Sequence, residues 1–254
     1  MGSVRVMAGH IGAGRAPDLD GANHREHHHR DVQGGAARAA VFGVSDGLVS
    51  NVGLILGVAG ADPAPSIVRL AGLAGLVAGA ISMAAGEYNS MKVQSELLQR
   101  ELELERVEIR RNPESETTEL AEVYESRGME PAQARAMAET VMSDPEVALE
   151  IHAREELGVD PEQLGSPFGA AGSSFTAFSF GAAVPLAPWL FAAGSAAIIA
   201  SLVAAVLAAV GVGAAIGRFT DRPLTRTVSR QLLFTLVPAA LTYAIGSVVG
   251  ISGA

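Results

Sequence analysis

The chain has 254 residues, of which 49% are hydrophobic and 18% charged, with a formal net charge of −9. Soluble domains carry roughly 25% charged residues, and the acidic balance excludes a nucleic-acid binder, which needs basic surface. The absence of cysteine excludes disulfides, thiolate zinc sites and iron–sulfur clusters. Any metal must therefore be held by carboxylate, imidazole, thioether or carbonyl groups.

Residues 1–37 are polar and lack helical periodicity. They read as a disordered cytosolic tail with no apolar run for a cleavable signal. Its HREHHHR segment carries His24, His27, His28 and His29, which is either a divalent-metal tract or a solvated run. The first span is about Ala39–Gly60 and includes FGVSDGLVSNVGLILGVAG, whose one charged residue is Asp46. A carboxylate inside a spanning helix costs several kcal/mol unless it finds a proton, a partner or a cation, so Asp46 reads as functional. Ser45, Ser50 and Asn51 add polar oxygens nearby.

After a turn at Asp62-Pro63-Ala64-Pro65, the second span runs about Ile67–Met91. Its Gly72, Gly75 and Gly79 suit close helix packing. Met83, Glu87 and Met91 recur at i, i+4, i+8 and share one helix face. Two antiparallel helices joined by a short turn can bring Asp46 beside Met83 and Glu87.

From Lys92 to Gly165 the chain holds nineteen Asp/Glu against eight Lys/Arg, a block of net −11. Its first helix sets Glu101, Glu105 and Glu108 at i, i+4, i+7 and ends at Asn112-Pro113. A second, about Glu114–Arg127, carries Glu116, Glu119 and Glu122 and stops at Gly128. A third, about Pro131–Met142, offers Met137, Ala138 and Val141 as an apolar face. Asp144-Pro145 reads as an N-cap followed by proline at the first helical position. The fourth helix then runs to Leu157 with Glu150, His152, Glu155 and Glu156. These Glu stripes can converge on shared cations or form a solvated acidic bundle.

Gly165-Ser166-Pro167 returns the chain to the membrane. The third span is about Phe168–Ala187, and Pro185 and Pro188 predict a turn with Trp189 at the interface. The fourth span is about Leu190–Ile216. A loop with Arg218, Arg222, Arg226 and Arg230 precedes the fifth, about Gln231–Ile251. An arginine-rich loop belongs on the cytosolic side, which puts the N-terminus and the acidic block there too. The fold class expected is an all-α membrane protein: five transmembrane helices with an acidic helical cytosolic domain inserted between the second and third. The domains fall at 1–37, 38–91, 92–165 and 166–254.

Carboxylates suit hard or borderline divalent ions, and thioether and imidazole shift preference toward softer ones. A mixed Glu/Met/His set favours Fe²⁺ and admits Mn²⁺, Co²⁺ and Zn²⁺, as bound cargo and with no prosthetic group. No G-x-x-x-x-G-K-[ST] nucleotide loop is present. Carboxylates that alternate between proton and cation offer another energy source, with Asp46 and Glu87 as candidates.

GVSDGLVSNVGLILGVAGA, then GLVAGAISMAAGEYNSMKVQSE, then a Glu-rich insert ending HAREELG, resembles the vacuolar iron transporter family from about Arg38 onward. The resemblance implies five membrane helices, a homodimer, and exchange of cytosolic Fe²⁺ or Mn²⁺ for protons along the dimer interface. Asp46 and Met83 fall on the path-lining positions, and Glu87 on the Glu of the family's MAxGE element. The resemblance also places Glu105, Glu108, Glu116, Glu119 and Glu156 on the ligand positions of a cytosolic metal-binding domain. His152 and Ala153 stand where members carry a Met pair. That departure either shifts selectivity or passes the ligand role to His152. The insert is then an intake and regulatory site, and the protein a transporter rather than an enzyme. The Gly/Ala-rich chain without a targeting peptide suggests a prokaryotic cell membrane. Two other readings exist. One is a membrane-tethered iron oxidase, against which Leu149 stands where a Glu-x-x-His element needs its Glu. The other is an acidic module for a basic partner.

Overall fold

The computed structural model describes residues 35–156, 158 and 165–252. The tail with His24, His27, His28 and His29 lies outside the described residues. Every element among those described is helical: α1 (Gly35–Gly60), α2 (Pro65–Arg111), α3 (Pro113–Ser126), α4 (Pro131–Met142), α5 (Pro145–Glu155), α6 (Pro167–Phe191), α7 (Gly194–Thr220) and α8 (Leu224–Ser252). Five of them, α1, α2, α6, α7 and α8, are long and apolar enough to cross a membrane. The insert between the second and third spans is α3–α5.

α1 is the central helix and touches α2, α6, α7 and α8. Its Leu48, Val52 and Ile55 are fully buried. The approach to α6 is close because both sides use glycine. A Cβ on Gly47 would run into the Phe178 carbonyl, and one on Gly181 into the Val44 carbonyl. Such small-residue seams bring helices together where no hydrophobic driving force separates them from lipid. Polar ties join α1 to α8 on another side. Thr242 donates to the Gly53 carbonyl at 2.7 Å, and the Gln231 amide nitrogen donates to Ser45 Oγ at 2.8 Å.

α2 has 47 residues, about 70 Å at 1.5 Å per residue, more than twice a hydrocarbon core of roughly 30 Å. Only its first half is apolar. The helix continues unbroken past Lys92, and its charged half is the wall against which α3–α5 pack. The insert has its own core of Ile109, Leu120, Ala121, Ala134, Ala138, Val141, Ala148 and Leu149. Asp144 caps α5 as expected, accepting from the backbone N–H groups of Glu146 and Val147. α4 turns Ala134, Ala138 and Val141 inward at i, i+4, i+7, and Met137 is exposed. The inward face is thus one residue type smaller than expected, which lets α4 lie close to α3.

Three further expectations change. The arginine loop shrinks to residues 221–223: Arg218 lies in α7 and Arg226 and Arg230 in α8, because both helices run on past the apolar stretch. α6 runs straight through Pro185 and Pro188 to Phe191, so the turn falls later, at Ala192 and Ala193. A spanning helix tolerates proline when neighbouring helices hold it, and Ser201 of α7 donates to the Pro185 carbonyl at 2.6 Å, tying α6 to α7 at this point. Trp189 consequently faces the bundle and is buried rather than at an interface.

Candidate functional site

Two places gather the chemistry. The first is a groove of about 440 Å³ between α1 and α2, closed on one side by Phe178 of α6. Asp46, Ser50 and Asn51 line it from α1, and Ser82, Met83 and Glu87 from α2. The groove exists because Gly75 and Gly79 face α1 and α6. A Cβ at Gly79 would strike the Phe178 ring, and one at Gly75 would meet Leu54 and Asn51. Ser50 Oγ donates to the Asp46 carbonyl at 2.6 Å, which ties its hydroxyl hydrogen and leaves oxygen lone pairs for the groove. Asp46, Met83 and Glu87 thus line one space, while Met91 does not; its methyl end lies beside Gly165.

The second place is in the insert. His152 of α5 is fully buried, and its Nδ1 faces α2 and α3. It lies 3.0 Å from Glu156 Oε1, 3.3 Å from Glu105 Oε1 and 4.0 Å from Glu116 Oε2. One ligand atom each from Glu105, His152 and Glu156 fall within 4.8 Å of one another. Two ligands about 2.1 Å from one ion stand up to roughly 4.2 Å apart, so a small closure makes these three a single site. The electrostatics ask for a cation. Burial, then the charge of Glu156, then Glu116 and Glu108 push the Glu105 carboxyl up to about 7, against the lowering pull of His152. Burial also raises Glu116, with Glu119, Glu108 and Glu156 adding to it and His152 opposing. On the far side of the ring His152 Nε2 is buried without a hydrogen-bond partner among the described residues.

Of the six insert residues expected from the sequence, Glu105, Glu116, His152 and Glu156 converge. Glu108 and Glu119 are exposed and act on the cluster through their charge. Glu119 accepts a 3.5 Å hydrogen bond from Ser115. What periodicity did not single out is Asn51. An amide in an apolar span is itself a signal, because an unpaired polar group in hydrocarbon is costly.

Five spanning helices around a carboxylate-lined groove, with an acidic helical insert on the extension of α2, define a multi-pass membrane protein that gathers cations. Residues 37–247 match the model of the VIT family. Vacuolar iron transporter 1 of Oryza sativa subsp. japonica is 34% identical over 173 residues, 67% of this chain and 69% of the relative. The vacuolar iron transporter of Acanthamoeba castellanii is 37% identical over 68% of this chain and 61% of its own length. Vacuolar iron transporter 1 of Eucalyptus grandis is 33% identical over 85% of this chain and 87% of its own length. The chain belongs to the VIT family.

Proposed function

We propose that the protein carries Fe²⁺ and Mn²⁺ out of the cytosol in exchange for protons. The observation that carries this reading is the groove, which sets two carboxylates and a thioether along one wall of the spanning bundle. Relatives named as iron transporters support iron as cargo. The same names speak against an enzyme, as does the missing Glu-x-x-His element at Leu149.

In this mechanism the insert (92–165) collects ions at Glu105, Glu116, His152 and Glu156, and Glu108 and Glu119 raise the local cation concentration from its rim. α2 continues from the insert into the membrane segment (38–91), where Glu87 stands nearer the insert than Met83 does. A cation passes Glu87, is held by Asp46 and Met83, and leaves on the far side. A proton returning on Asp46 neutralises it and resets the groove. The remaining spans (166–254) pack α1 and the dimer. Arg218, Arg222, Arg226 and Arg230 support the cytosolic placement of the insert. An exposed apolar stripe on α2, Ile67, Leu70, Val77 and Ile81, supports a homodimer packed along this helix. The Gly/Ala-rich composition supports a prokaryotic cell membrane, whereas the named relatives come from eukaryotes.

Proteoliposomes with a proton gradient test the reading. Gradient-dependent uptake of Fe²⁺ or Mn²⁺ is expected, with accompanying proton movement. Uptake indifferent to the gradient would remove proton exchange, and no uptake would remove transport.

A further inference from the structure

Asn51 is 1% exposed, and its two polar ends meet different fates. Its amide nitrogen donates to the Ala182 carbonyl of α6 at 2.7 Å. Its Oδ1 is buried and has no hydrogen-bond partner among the described residues. The two ends are not interchangeable, because a flipped amide would set two acceptor oxygens against each other. The α6 contact therefore aims the oxygen away from α6, at Gly75 of α2. An added Cβ there would stand 2.8 Å from it. Helix joining alone does not account for this arrangement. Helix joining uses only the amide nitrogen, and the carboxamide oxygen is left as an acceptor unpaired in the bundle, which is costly.

Asn51 lies in the wall of the same groove as Asp46, Met83 and Glu87. It is five residues beyond Asp46 along α1, about 7–8 Å further from the insert. We propose that the Asn51 carboxamide oxygen is a cation ligand on the deep side of the groove, receiving the divalent ion from Asp46 before release. The proposal rests on the transport reading. Its chemistry suits that place: an amide oxygen is a hard donor that replaces one water of the ion, yet it carries no net charge. Conduction needs sites favourable enough to enter and weak enough to leave. A neutral oxygen after an anionic one supplies that descent.

The test is initial-rate uptake of Mn²⁺, and of Fe²⁺ without oxygen, in proteoliposomes of the full chain. Asn51→Ala removes both ends of the amide and is expected to raise the KM for metal about ten-fold. Asn51→Asp loses the amide donor but keeps an oxygen toward Gly75. It is expected to restore KM to the wild-type value or below, with slower turnover because an anionic oxygen releases the ion less readily. A residue that only joins α1 to α6 gives the opposite pattern, with Asn51→Asp as impaired as Asn51→Ala, and that result overturns the proposal. An unchanged KM in Asn51→Ala overturns it as well. If Asn51→Ala does not assemble, Gly75→Ala covers the oxygen and spares the Ala182 bond. Its KM must then rise by a similar factor, and an unchanged value overturns the proposal. Gly211→Ala, whose Cβ meets nothing within 4 Å, controls for glycine replacement in a span. Inactive wild-type protein would instead end the transport reading, and this proposal with it.

Discussion

The groove and the insert cluster use similar donors in opposite ways. In the insert, a fully buried imidazole sits 3.0–4.0 Å from three carboxylates, Glu105 of α2, Glu116 of α3 and Glu156 at the end of α5. Packing has buried carboxylates beside one another there, and burial first, then the charge of Glu156, raises Glu105 to about 7. Under the transport reading proposed above, such a site captures a cation and holds it. In the groove the donors are strung along two helices, over about one and a half turns of each. Under the same transport reading, such a site hands an ion along. The difference then separates capture from passage by how tightly the carboxylates are gathered.

The comparison breaks most visibly at Asp46. Asp46→Ala is expected to cut uptake by a hundred-fold or more, because an anionic partner for a desolvated cation is worth about 3 kcal/mol or above. Metal binding by the insert, read by calorimetry on the whole detergent-solubilised protein, should stay as it was. If both fall together, the two places are not separable.

His152→Ala is the converse. It removes the nitrogen donor and leaves Glu105, Glu116 and Glu156 facing one another. Calorimetric affinity for Fe²⁺ or Zn²⁺ should drop by about 10–100-fold, while uptake at saturating metal changes less than about two-fold if the insert only gathers ions. A large fall in saturated uptake would make the insert part of the transport step.

The capture site should also carry a pH signature. Glu105 titrates at about 7 in the folded protein against 4.5 for the free side chain. Between those values the folded state holds the extra proton, so the metal-free insert loses stability as pH rises through that window. The full loss is about 3 kcal/mol. Amide exchange over α3–α5 should therefore be slower at pH 5 than at pH 8 once corrected for intrinsic rates. Bound metal should reverse the trend, because binding displaces that proton and strengthens as pH approaches 7. A pH-independent metal-free insert would show that Glu105 is not held against the other carboxylates.

Much of this was legible in the sequence, and the gaps have physical causes. The five apolar runs, the α5 cap at Asp144 and the α4 boundaries follow from local rules, and the structure keeps them. Pro185 and Pro188 were misleading because proline breaks helices in water. In a bundle the packing of neighbouring helices holds the segment and the helix continues. Met137 was expected inside because it is apolar, but α4 turns Ala134, Ala138 and Val141 inward and leaves Met137 exposed. The Glu stripes marked faces of single helices. Which members look inward depends on where α5 brings His152, and that is a tertiary fact. Asn51 was visible as a polar residue in a span. Its orientation needed the Ala182 carbonyl, which lies 131 positions away in sequence.

The smallest expected effect separates the inward glutamates from the rim. Glu108 and Glu119 are exposed, and they reach the cluster only through water-screened charge, which is worth at most about 1 kcal/mol for exposed groups. Glu119→Gln should weaken metal binding by no more than about three-fold, with a loss that vanishes in 0.5 M salt. Glu105→Gln should weaken it by at least ten-fold with little response to salt, because that carboxylate is mostly shielded from solvent ions. Calorimetry on both variants at two salt concentrations makes the distinction. Equal, salt-independent losses would mean that Glu119 turns inward when metal arrives. The capture site would then assemble around the ion rather than wait for it, and the contrast with the groove would narrow to one of degree.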